Sequence, residues 1–375
     1  MSEVEREILR RCEAGEQGCI ATLIRSSGSV PMSRRAKLLV CADGSLRGTI
    51  GGGCLEAEVW QRARDVIRDG TARSFRSALN QEDALESGLI CGGSVEILLQ
   101  PLGGAAMADV YREVAALQAG GGRGVLATVA DAGVDAAPGD HLLVCADGRQ
   151  VGHLRDAALR AAILAEAPRV LREEMPRLVR FRRQGDPEEQ PDEYRGAEGG
   201  ARVFLDPVVP IPTLFVFGGG HVGLYTAQVG AMVGMRVVVV DDRAAFANRE
   251  RFPQADEAIV AEFDRVFDRL TVDESSYIVI VTRGHRHDET VLERALCTPA
   301  RYIGMIGSRR KVKVVFDRLR ERGVAEESLA RVHTPIGLEI HADTPEEIAV
   351  SILAEIITIR RARLGLVGKQ AVCRS

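Results

Sequence analysis

The sequence predicts an α/β protein with two domains: an N-terminal α/β domain with an internal duplication, and a C-terminal Rossmann-like domain with a doubly wound parallel sheet. Three observations predict this. One α/β segment occurs twice in the first half of the chain, a glycine turn joins strand to helix at 214–242, and strand and helix patterns then alternate. We place the domains at 1–210 and 211–375, and the two related units of the first domain at about 1–102 and 103–206.

The composition limits the classes of function. A chain of 375 residues exceeds one ordinary core, and its net charge of −4 provides no basic field for nucleic acid. No apolar run approaches the roughly 20 residues that cross a bilayer, and the charged N-terminus does not resemble a signal peptide. The eight cysteines form no C-x-x-C pair, which argues against a zinc ribbon or a disulfide scaffold. We therefore expect a soluble cytoplasmic protein without nucleic-acid or membrane partners.

The first copy of the duplicated segment starts with an amphipathic helix and a strand at 19–24. A β-hairpin follows, with strands at 36–41 and 46–50 and Asp43-Gly44 at its turn. Its second strand leads directly into a glycine loop and then into a helix that begins near Leu55. The pattern is strand, glycine loop and helix N-terminus, with a thiol in the loop.

The second copy keeps the scaffold without this loop. The hexamer LVCADG is identical at Leu39 and Leu143, but the second copy has Arg155-Asp156-Ala157-Ala158 where the first has Gly51-Gly52-Gly53-Cys54. We interpret the segments as two copies of one α/β unit that share a sheet. Because the same scaffold is built without the glycine–cysteine loop, the difference favours a functional loop.

Two cysteines lie in glycine-rich contexts. A thiol at a helix N-terminus beside three glycines should have a lowered pKa and an open approach, although a tight turn with a buried thiol is the alternative. The segment 91–93 is a similar case before the strand at 94–100, and the two segments could bind a soft metal or a sulfur-bearing ligand together. The other cysteines that we weigh are expected in the core: Cys12, Cys19, Cys41, Cys145 and Cys297. The candidate site residues of the first domain are Gly51, Gly52, Gly53, Cys54, Glu56, Cys91, Gly92 and Gly93.

The second domain opens with LFVFGGGHVG, a strand that runs into a G-x-G-x-x-G turn. Gly218 permits the tight turn, Gly220 lets a pyrophosphate approach the backbone, and Gly223 lets helix and strand pack closely. The helix N-terminus offers free N–H groups to a phosphate. An acid at the end of the next strand, Asp241 or Asp242, can accept a ribose hydroxyl.

Three further loops follow predicted strands, at 282–288, 307–311 and 333–337. In a parallel sheet they would face the same region as the glycine turn. The cations at 307–311 are either a solvated charge run or a phosphate site at a helix start. The histidines and the carboxylate of 282–288 have the wrong spacing for a metal site on one helical face. The candidate site residues of the second domain are Gly218, Gly220, His221, Gly223, Asp241, Asp242, Ser308 and Arg309.

These motifs together resemble the XdhC/CoxI family, the accessory factors of xanthine dehydrogenase and other molybdenum hydroxylases. The resemblance spans nearly the whole chain. The segments that carry it include GSVPMSRRAKLLVCADGSLRGTIGGGCLEAEV, LICGGSVEILLQPL, LFVFGGGHVG, VTRGHRHD and GMIGSRRK. Two small departures, glycine in place of alanine in the Rossmann turn and Met32-Ser33 in the first loop, remove no group that could do chemistry.

The resemblance implies a non-catalytic chaperone for the molybdenum cofactor. Such proteins bind molybdopterin and protect it while a cysteine desulfurase supplies the terminal sulfur. They then deliver it to an apo molybdenum hydroxylase, and they often act as homodimers. The residues agree in kind, because a glycine-lined helix start suits a phosphate and a thiolate suits a soft or oxo-metal centre. Cys54 is the candidate contact to molybdenum through the cofactor.

Two other functions stay open. An NAD(P)-dependent oxidoreductase would use the Rossmann turn; the acids at 241–242 favour NAD, and Arg243 leaves NADP open. That hypothesis lacks an acid–base pair, since His221, His285 and His287 have no orienting partner in the sequence. A scaffold that only docks a hydroxylase is the other alternative. A cofactor with an appended nucleotide would give the Rossmann cleft a role in the chaperone.

Overall fold

The structure is a computed structural model. The chain divides into two compact units, Met1–Pro210 and Ile211–Ser375, and each is described by itself. The residues that the structure describes are 2–28, 30, 32–79, 93–131, 136–182, 187–189 and 200–362.

The first repeat of the N-terminal unit forms a five-stranded antiparallel sheet with the strand order β3-β2-β1-β5-β4. Its central strand, β1, pairs with the hairpin on one side and with the returning strand β5 on the other. The elements are α1 (Glu3–Glu13), β1 (Gly18–Ser27), β2 (Lys37–Cys41), β3 (Leu46–Thr49), α2 (Gly53–Asp69), β4 (Arg73–Leu79) and β5 (Gly93–Pro101).

The second repeat has the same connections in its own antiparallel sheet, in the order β10-β9-β11-β6-β7-β8. Strands β8-β7-β6-β11-β9 correspond one by one to β3-β2-β1-β5-β4, so the predicted duplication is confirmed. The elements are α3 (Gly104–Ala119), β6 (Gly124–Asp131), β7 (His141–Cys145), β8 (Gln150–His153), α4 (Ala157–Glu173), β9 (Arg177–Arg182), β10 (Pro187–Glu189) and β11 (Gly200–Val208).

The prediction that the two copies share a sheet is wrong. In each repeat the last strand returns beside the first, so each copy completes its own set of strand pairs. The repeats contact each other through side chains instead: a buried cluster contains Ile24 and Leu98 of the first sheet and Phe204 of the second. Two ion pairs cross the same boundary, one from Lys37 Nζ to Asp206 Oδ2 at 2.7 Å and one from Arg202 Nη1 to Glu96 Oε1 at 2.6 Å.

The C-terminal unit contains a parallel sheet in the order β14-β13-β12-β15-β16-β17. In chain order this is 3-2-1-4-5-6, the Rossmann arrangement, so the predicted fold class is confirmed. The elements are β12 (Thr213–Phe217), α5 (His221–Met232), β13 (Arg236–Asp241), β14 (Glu257–Val260), a 3₁₀ turn (Val266–Arg269), β15 (Ser276–Ile280), α6 (His285–Leu296), β16 (Tyr302–Met305), α7 (Arg309–Glu321), α8 (Glu326–Leu329), β17 (Val332–His333) and α9 (Pro345–Ala362).

The central strands of this sheet are buried on both faces, which is why they are continuous apolar runs. Side chains of α6 and α7 form the core on one face, and side chains of α5 and α9 form it on the other. The strand order reverses between β12 and β15, so the crevice outside the carboxyl ends of these two strands is where this fold binds ligands. Within the described part of the chain, no helix is long and apolar enough to cross a membrane.

Candidate functional site

The glycine turn after β12 has the geometry that its spacing predicts. Gly218 has φ of +112°, and a Cβ on it would lie 2.5 Å from the carbonyl oxygen of Val281. A Cβ on Gly223 would lie 1.9 Å from the carbonyl oxygen of Gly218, whereas one on Gly220 would meet no atom within 4 Å. The first and third glycines are therefore required by close packing, and the second leaves open space at the N-terminus of α5.

The first acid after the glycine turn is used by the protein itself. Asp241 is buried, and its Oδ2 accepts the Gly219 N–H at 2.8 Å while its Oδ1 accepts Arg243 Nε at 2.8 Å. Burial acts to raise the pKa of Asp241, but these hydrogen bonds outweigh it and hold the pKa below its ordinary value. Asp241 thus stabilises the conformation of the glycine turn through its hydrogen bond to the Gly219 N–H.

The second acid, Asp242, has one carboxylate oxygen that accepts no hydrogen bond among the described residues. Asp242 Oδ2 accepts Arg283 Nη2 at 2.7 Å, which ties the end of β13 to the loop after β15. Its Oδ1 is buried without a hydrogen-bond partner among the described residues, and the nearest cationic atom is Arg243 Nε at 3.6 Å. Of the two candidate acids, Asp242 is therefore the one with a carboxylate oxygen that makes no hydrogen bond among the described residues, but this oxygen is enclosed by protein atoms.

The carboxylate of the 282–288 loop is buried, and its pairing with a lysine of the next loop was missed by sequence reasoning. Asp288, on the first turn of α6, is fully buried; its Oδ1 accepts the Thr282 hydroxyl at 2.6 Å and its Oδ2 is ion-paired with Lys311 Nζ. Lys311 also donates to the Ile306 carbonyl at 3.3 Å, and a quarter of its side chain is exposed. Burial raises the pKa of Asp288 although Lys311 and Thr282 oppose the shift. The Thr282–Asp288–Lys311 group joins the ends of β15 and β16.

The other predicted cations lie at the same edge of the sheet. Ser308 caps α7, since its Oγ accepts the Lys311 N–H at 3.4 Å, and Arg309 is exposed at the first position of that helix. Neither contacts the glycine turn in the part of the chain that the structure describes, so their contribution to phosphate binding stays a prediction.

Among the described residues, His221 and His287 make no hydrogen bond to a carboxylate that would orient either as a base. His221 is the exposed first residue of α5. The His287 ring packs edge-on against Phe263 at 5.3 Å, and the side chain of His285 lies outside the described residues. His333 Nδ1 contacts Glu355 at 3.3 Å, a carboxylate that also accepts the Tyr302 hydroxyl and therefore joins β17 to α9.

The glycine–cysteine loop of the N-terminal unit is shaped by three consecutive glycines. Gly51, Gly52 and Gly53 have φ of +116°, +78° and +63°, a run that other residues rarely adopt. A Cβ on Gly52 or Gly53 would meet nothing within 4 Å, so the outer face of the loop is open. Cys54, the second residue of α2, is exposed with a free thiol.

Glu56 holds this loop from inside. Its Oε1 accepts the Thr49 hydroxyl at 2.6 Å and the N–H groups of Ile50 and Gly52 at 3.1 Å each. Burial acts to raise the pKa of Glu56, but these three hydrogen bonds outweigh it and lower the pKa below its ordinary value. Glu56 therefore fixes the shape of the loop, and Cys54 is the exposed thiol that follows it.

Cys91 and Gly92 lie outside the described residues, but Gly93 begins β5. The register pairs Ser27 with Ser94 and Thr49 with Lys37, so the start of β5, the end of β1 and the end of β3 share one edge of the first sheet.

The remaining cysteines separate into two groups. Cys12, Cys19, Cys41 and Cys145 are buried, as predicted. The expectation that Cys297 is buried is wrong: it caps the C-terminus of α6, beyond the apolar face of that helix, and is exposed. Among the described residues no cluster of three or more His, Cys, Asp or Glu could hold a metal ion.

Two family models match the chain. Residues 214–356 match the family described as the XdhC Rossmann domain. Residues 11–77 and 117–182 match the XdhC and CoxI family, and these two segments lie one in each repeat of the N-terminal unit. The two families together cover most of the chain.

Similar proteins come from bacteria. The chain is 24% identical over 351 residues to a Bacillus subtilis protein named as a probable component of xanthine dehydrogenase, with 93% of this chain and 95% of that protein aligned. It is 35% identical over 223 residues to YqeB of Escherichia coli, an uncharacterized protein, and this match covers 58% of the chain but spans only 40% of that relative. A crystal structure described as a xanthine dehydrogenase from Bacillus halodurans superposes with a TM-score of 0.74 at 25% identity, covering 99% of this chain and 98% of that one.

Proposed function

Because the chain belongs to the XdhC and CoxI family, we propose that it is an accessory factor that binds the molybdenum cofactor and assists its sulfuration and insertion into a hydroxylase of the xanthine dehydrogenase type. The cofactor is cargo in this proposal. A cysteine desulfurase and the apo-hydroxylase are its partners, and the chain acts as a homodimer. The name of the Bacillus subtilis relative agrees with a client of this type.

The observation that carries the proposal is the glycine–cysteine loop. It combines an exposed thiol, an open glycine surface and a carboxylate clamp at the start of a helix. The equivalent connection in the second repeat has no thiol and no glycine, and its carboxylate, Asp156, caps the helix instead. A phosphate-bearing pterin with a sulfur-bound metal matches this set of groups, since backbone N–H groups at a helix start suit its phosphate and a thiolate suits its metal end.

Binding of the released molybdenum cofactor tests this proposal. We expect wild-type protein to bind it and Cys54→Ala to bind it at least about tenfold more weakly, a loss of about 1.4 kcal/mol. Cys297→Ala is the matched control, because Cys297 is the other exposed cysteine among the described residues. Equal affinity of wild type and Cys54→Ala would remove Cys54 from the site, and no binding by wild type would refute the proposal.

One observation favours a second candidate, an oxidoreductase that uses NAD(P). The sequence offers no acid–base pair, but the Thr282–Asp288–Lys311 group supplies a partly exposed lysine held by a buried carboxylate. It follows strands β15 and β16, so in this fold it would face the half of a dinucleotide that lies beyond the switch point. Lys311 would there orient and stabilise an anionic or developing oxyanion group on the ligand.

Fluorescence titration with NADH and NADPH tests this candidate. Micromolar binding that weakens in Lys311→Met would support it, with Lys313→Met as a control because Lys313 is an exposed lysine on the same helix. If Asp242 accepts a ribose hydroxyl, NADH should bind more tightly than NADPH, whose 2′-phosphate would meet this carboxylate. Absence of binding by either nucleotide would leave the accessory role alone.

A further inference from the structure

The Rossmann arrangement of the C-terminal unit implies an adenine dinucleotide, but the residues around its glycine turn fit the adenosine half of such a ligand poorly. In this fold an acid at the end of the second strand accepts the ribose hydroxyls of the adenosine half. The second strand here is β13, and the acids at its end are Asp241 and Asp242. Adenosine would therefore have to dock against these acids and the segment that follows them.

Neither acid presents a free carboxylate oxygen to a ligand. Asp241 is 2% exposed, and its oxygens accept the N–H groups of Gly219 and Arg243. The Arg243 guanidinium donates to both of them as well. Asp242 Oδ2 accepts Arg283 Nη2 at 2.7 Å, and its Oδ1 is enclosed by protein atoms. A ribose would have to displace an arginine to reach either carboxylate, and a charge-assisted hydrogen bond would be lost.

The segment 243–252 also fills the space beside the second residue of the turn. A Cβ on Gly219 would lie 1.8 Å from the Phe246 carbonyl oxygen, so this segment lies where a side chain would otherwise be. Arg251 Nε donates to the Gly219 carbonyl at 2.9 Å. Because Asp241 accepts the Gly219 N–H, both polar backbone groups of this glycine are bound within the protein.

Several contacts hold the segment 243–252 in this position. The Phe246 N–H donates to the Arg243 carbonyl at 2.9 Å, and the Arg243 guanidinium lies 3.6 Å from the centre of the Phe246 ring. The Arg251 N–H donates to Asn248 Oδ1 at 2.9 Å. Phe252 is 1% exposed and packs in the core on the α5 and α9 face of the sheet. A ligand would therefore meet this segment already in place.

The phosphate end of the turn is open by contrast. A Cβ on Gly220 would meet no atom within 4 Å, and α5 begins at His221 without a side-chain cap. The first N–H groups of a helix have no partner within the helix, so a phosphate group has room and donors here. The poor fit is thus confined to the adenosine half.

We infer that the crevice of the C-terminal unit does not bind an adenine dinucleotide: the glycine turn leaves room for a phosphate group, but no adenosine docks at the end of β13. The disagreement between the fold and these residues carries the inference, which does not depend on the accessory role. It counts against the oxidoreductase candidate, because an NAD(P) enzyme holds its cofactor by the adenosine half as well.

Calorimetric titration of the full-length protein with ADP-ribose and with inorganic pyrophosphate tests the inference. ADP-ribose contains the adenosine and the pyrophosphate of a dinucleotide, so the ratio of the two affinities measures what adenosine contributes. We expect a ratio below about tenfold, or no binding by either compound. A ratio of about tenfold or more, a gain of about 1.4 kcal/mol, would overturn the inference, as would micromolar binding of NADH or NADPH.

A substitution at the second acid sharpens the test. Where both compounds bind, Asp242→Asn should leave the ratio of affinities at its wild-type value. Asp264→Asn is the matched control, since Asp264 is an exposed acid of the same unit, and thermal unfolding verifies each fold. A ratio that falls in Asp242→Asn alone would assign this acid to a ribose and overturn the inference.

The outcomes for the two proposals are separate. Failure to bind the molybdenum cofactor would refute the accessory role and leave this inference standing. An adenosine preference would overturn the inference and leave the accessory role standing.

Discussion

Strands β3 and β8 occupy equivalent places in the two repeats, and each leads into a helix through a short connection. In the second repeat Asp156 caps α4 in the ordinary way, with its side chain accepting the Leu159 N–H at 2.9 Å. In the first repeat the cap is Gly52, which offers no side-chain hydrogen bond to α2. The same scaffold thus carries one connection built for helix stability and one built around an open backbone.

The residue four positions after each helix cap also differs between the two repeats. In the first repeat Glu56 reaches back to the N–H groups of Ile50 and Gly52 and holds the open loop. Its equivalent in the second repeat, Arg160, donates to the Leu154 carbonyl. The glycine loop is therefore an ordered structure with its own support, and the fold does not need it.

The largest loss of stability is expected at a glycine position that the two repeats share. Gly48 and Gly152 both have positive φ, and a Cβ on either would lie within 2.6 Å of a carbonyl oxygen, that of Lys37 or His141. Gly48→Ala and Gly152→Ala should each lower the free energy of unfolding by about 1–3 kcal/mol. Urea denaturation measures this. Gly148→Ala, where φ is +90° but no atom lies within 4 Å, should cost less. A loss confined to one repeat would show that the scaffolds are not equivalent.

The next largest loss of stability is expected from a residue that only the first repeat has. Glu56→Gln should destabilise the first repeat by about 1–2 kcal/mol at neutral pH, because the amide oxygen lacks the charge that strengthens these hydrogen bonds. The folded pKa of Glu56 lies below its ordinary value of 4.5, so its contribution is complete above pH 4.5 and is lost as the pH falls through the folded pKa. Wild type and Glu56→Gln should therefore converge in acid. A stability difference that stays constant from neutral to acidic pH would contradict this role.

The smallest effect concerns the second repeat alone. Asp156→Ala removes the cap of α4 and should cost about 1 kcal/mol of stability, measured by thermal unfolding. Its affinity for the molybdenum cofactor should equal that of the wild type, because this connection has no role in the proposed site. A change in affinity would place the second repeat in the site.

The Rossmann unit could be predicted because its signals are local. The close approach of Gly223 to the Gly218 carbonyl lies within one strand–turn–helix segment, and the buried strands are continuous apolar runs. The duplication was visible in LVCADG. The division into two separate sheets was not visible in the sequence, because it depends on which strands β5 and β11 pair with. Strand β4 was missed because its sequence, RSFRSAL, is largely polar and lacks a regular alternation of polar and apolar residues, as this edge strand tolerates.

The site was predictable only in part. Side-chain pairing between loops decides which groups remain available, and no local pattern encodes it. Asp241 and Asp242 are adjacent in the sequence, yet their side chains differ in their partners. Asp241 accepts the Gly219 N–H, whereas Asp242 has an oxygen without a hydrogen-bond partner among the described residues. The pairing of Asp288 with Lys311 joins two loops in the same way.

The central claim is that the glycine–cysteine loop of the first repeat is the binding loop. Replacing this loop with the connection of the second repeat tests the claim. The exchanged chain carries Gly51→Arg, Gly52→Asp, Gly53→Ala and Cys54→Ala, the residues found at 155–158 of the second repeat. The measurement is equilibrium binding of the released molybdenum cofactor, with thermal unfolding to verify the fold. We predict a folded protein that does not bind the cofactor. Wild-type affinity in this chain would contradict the claim.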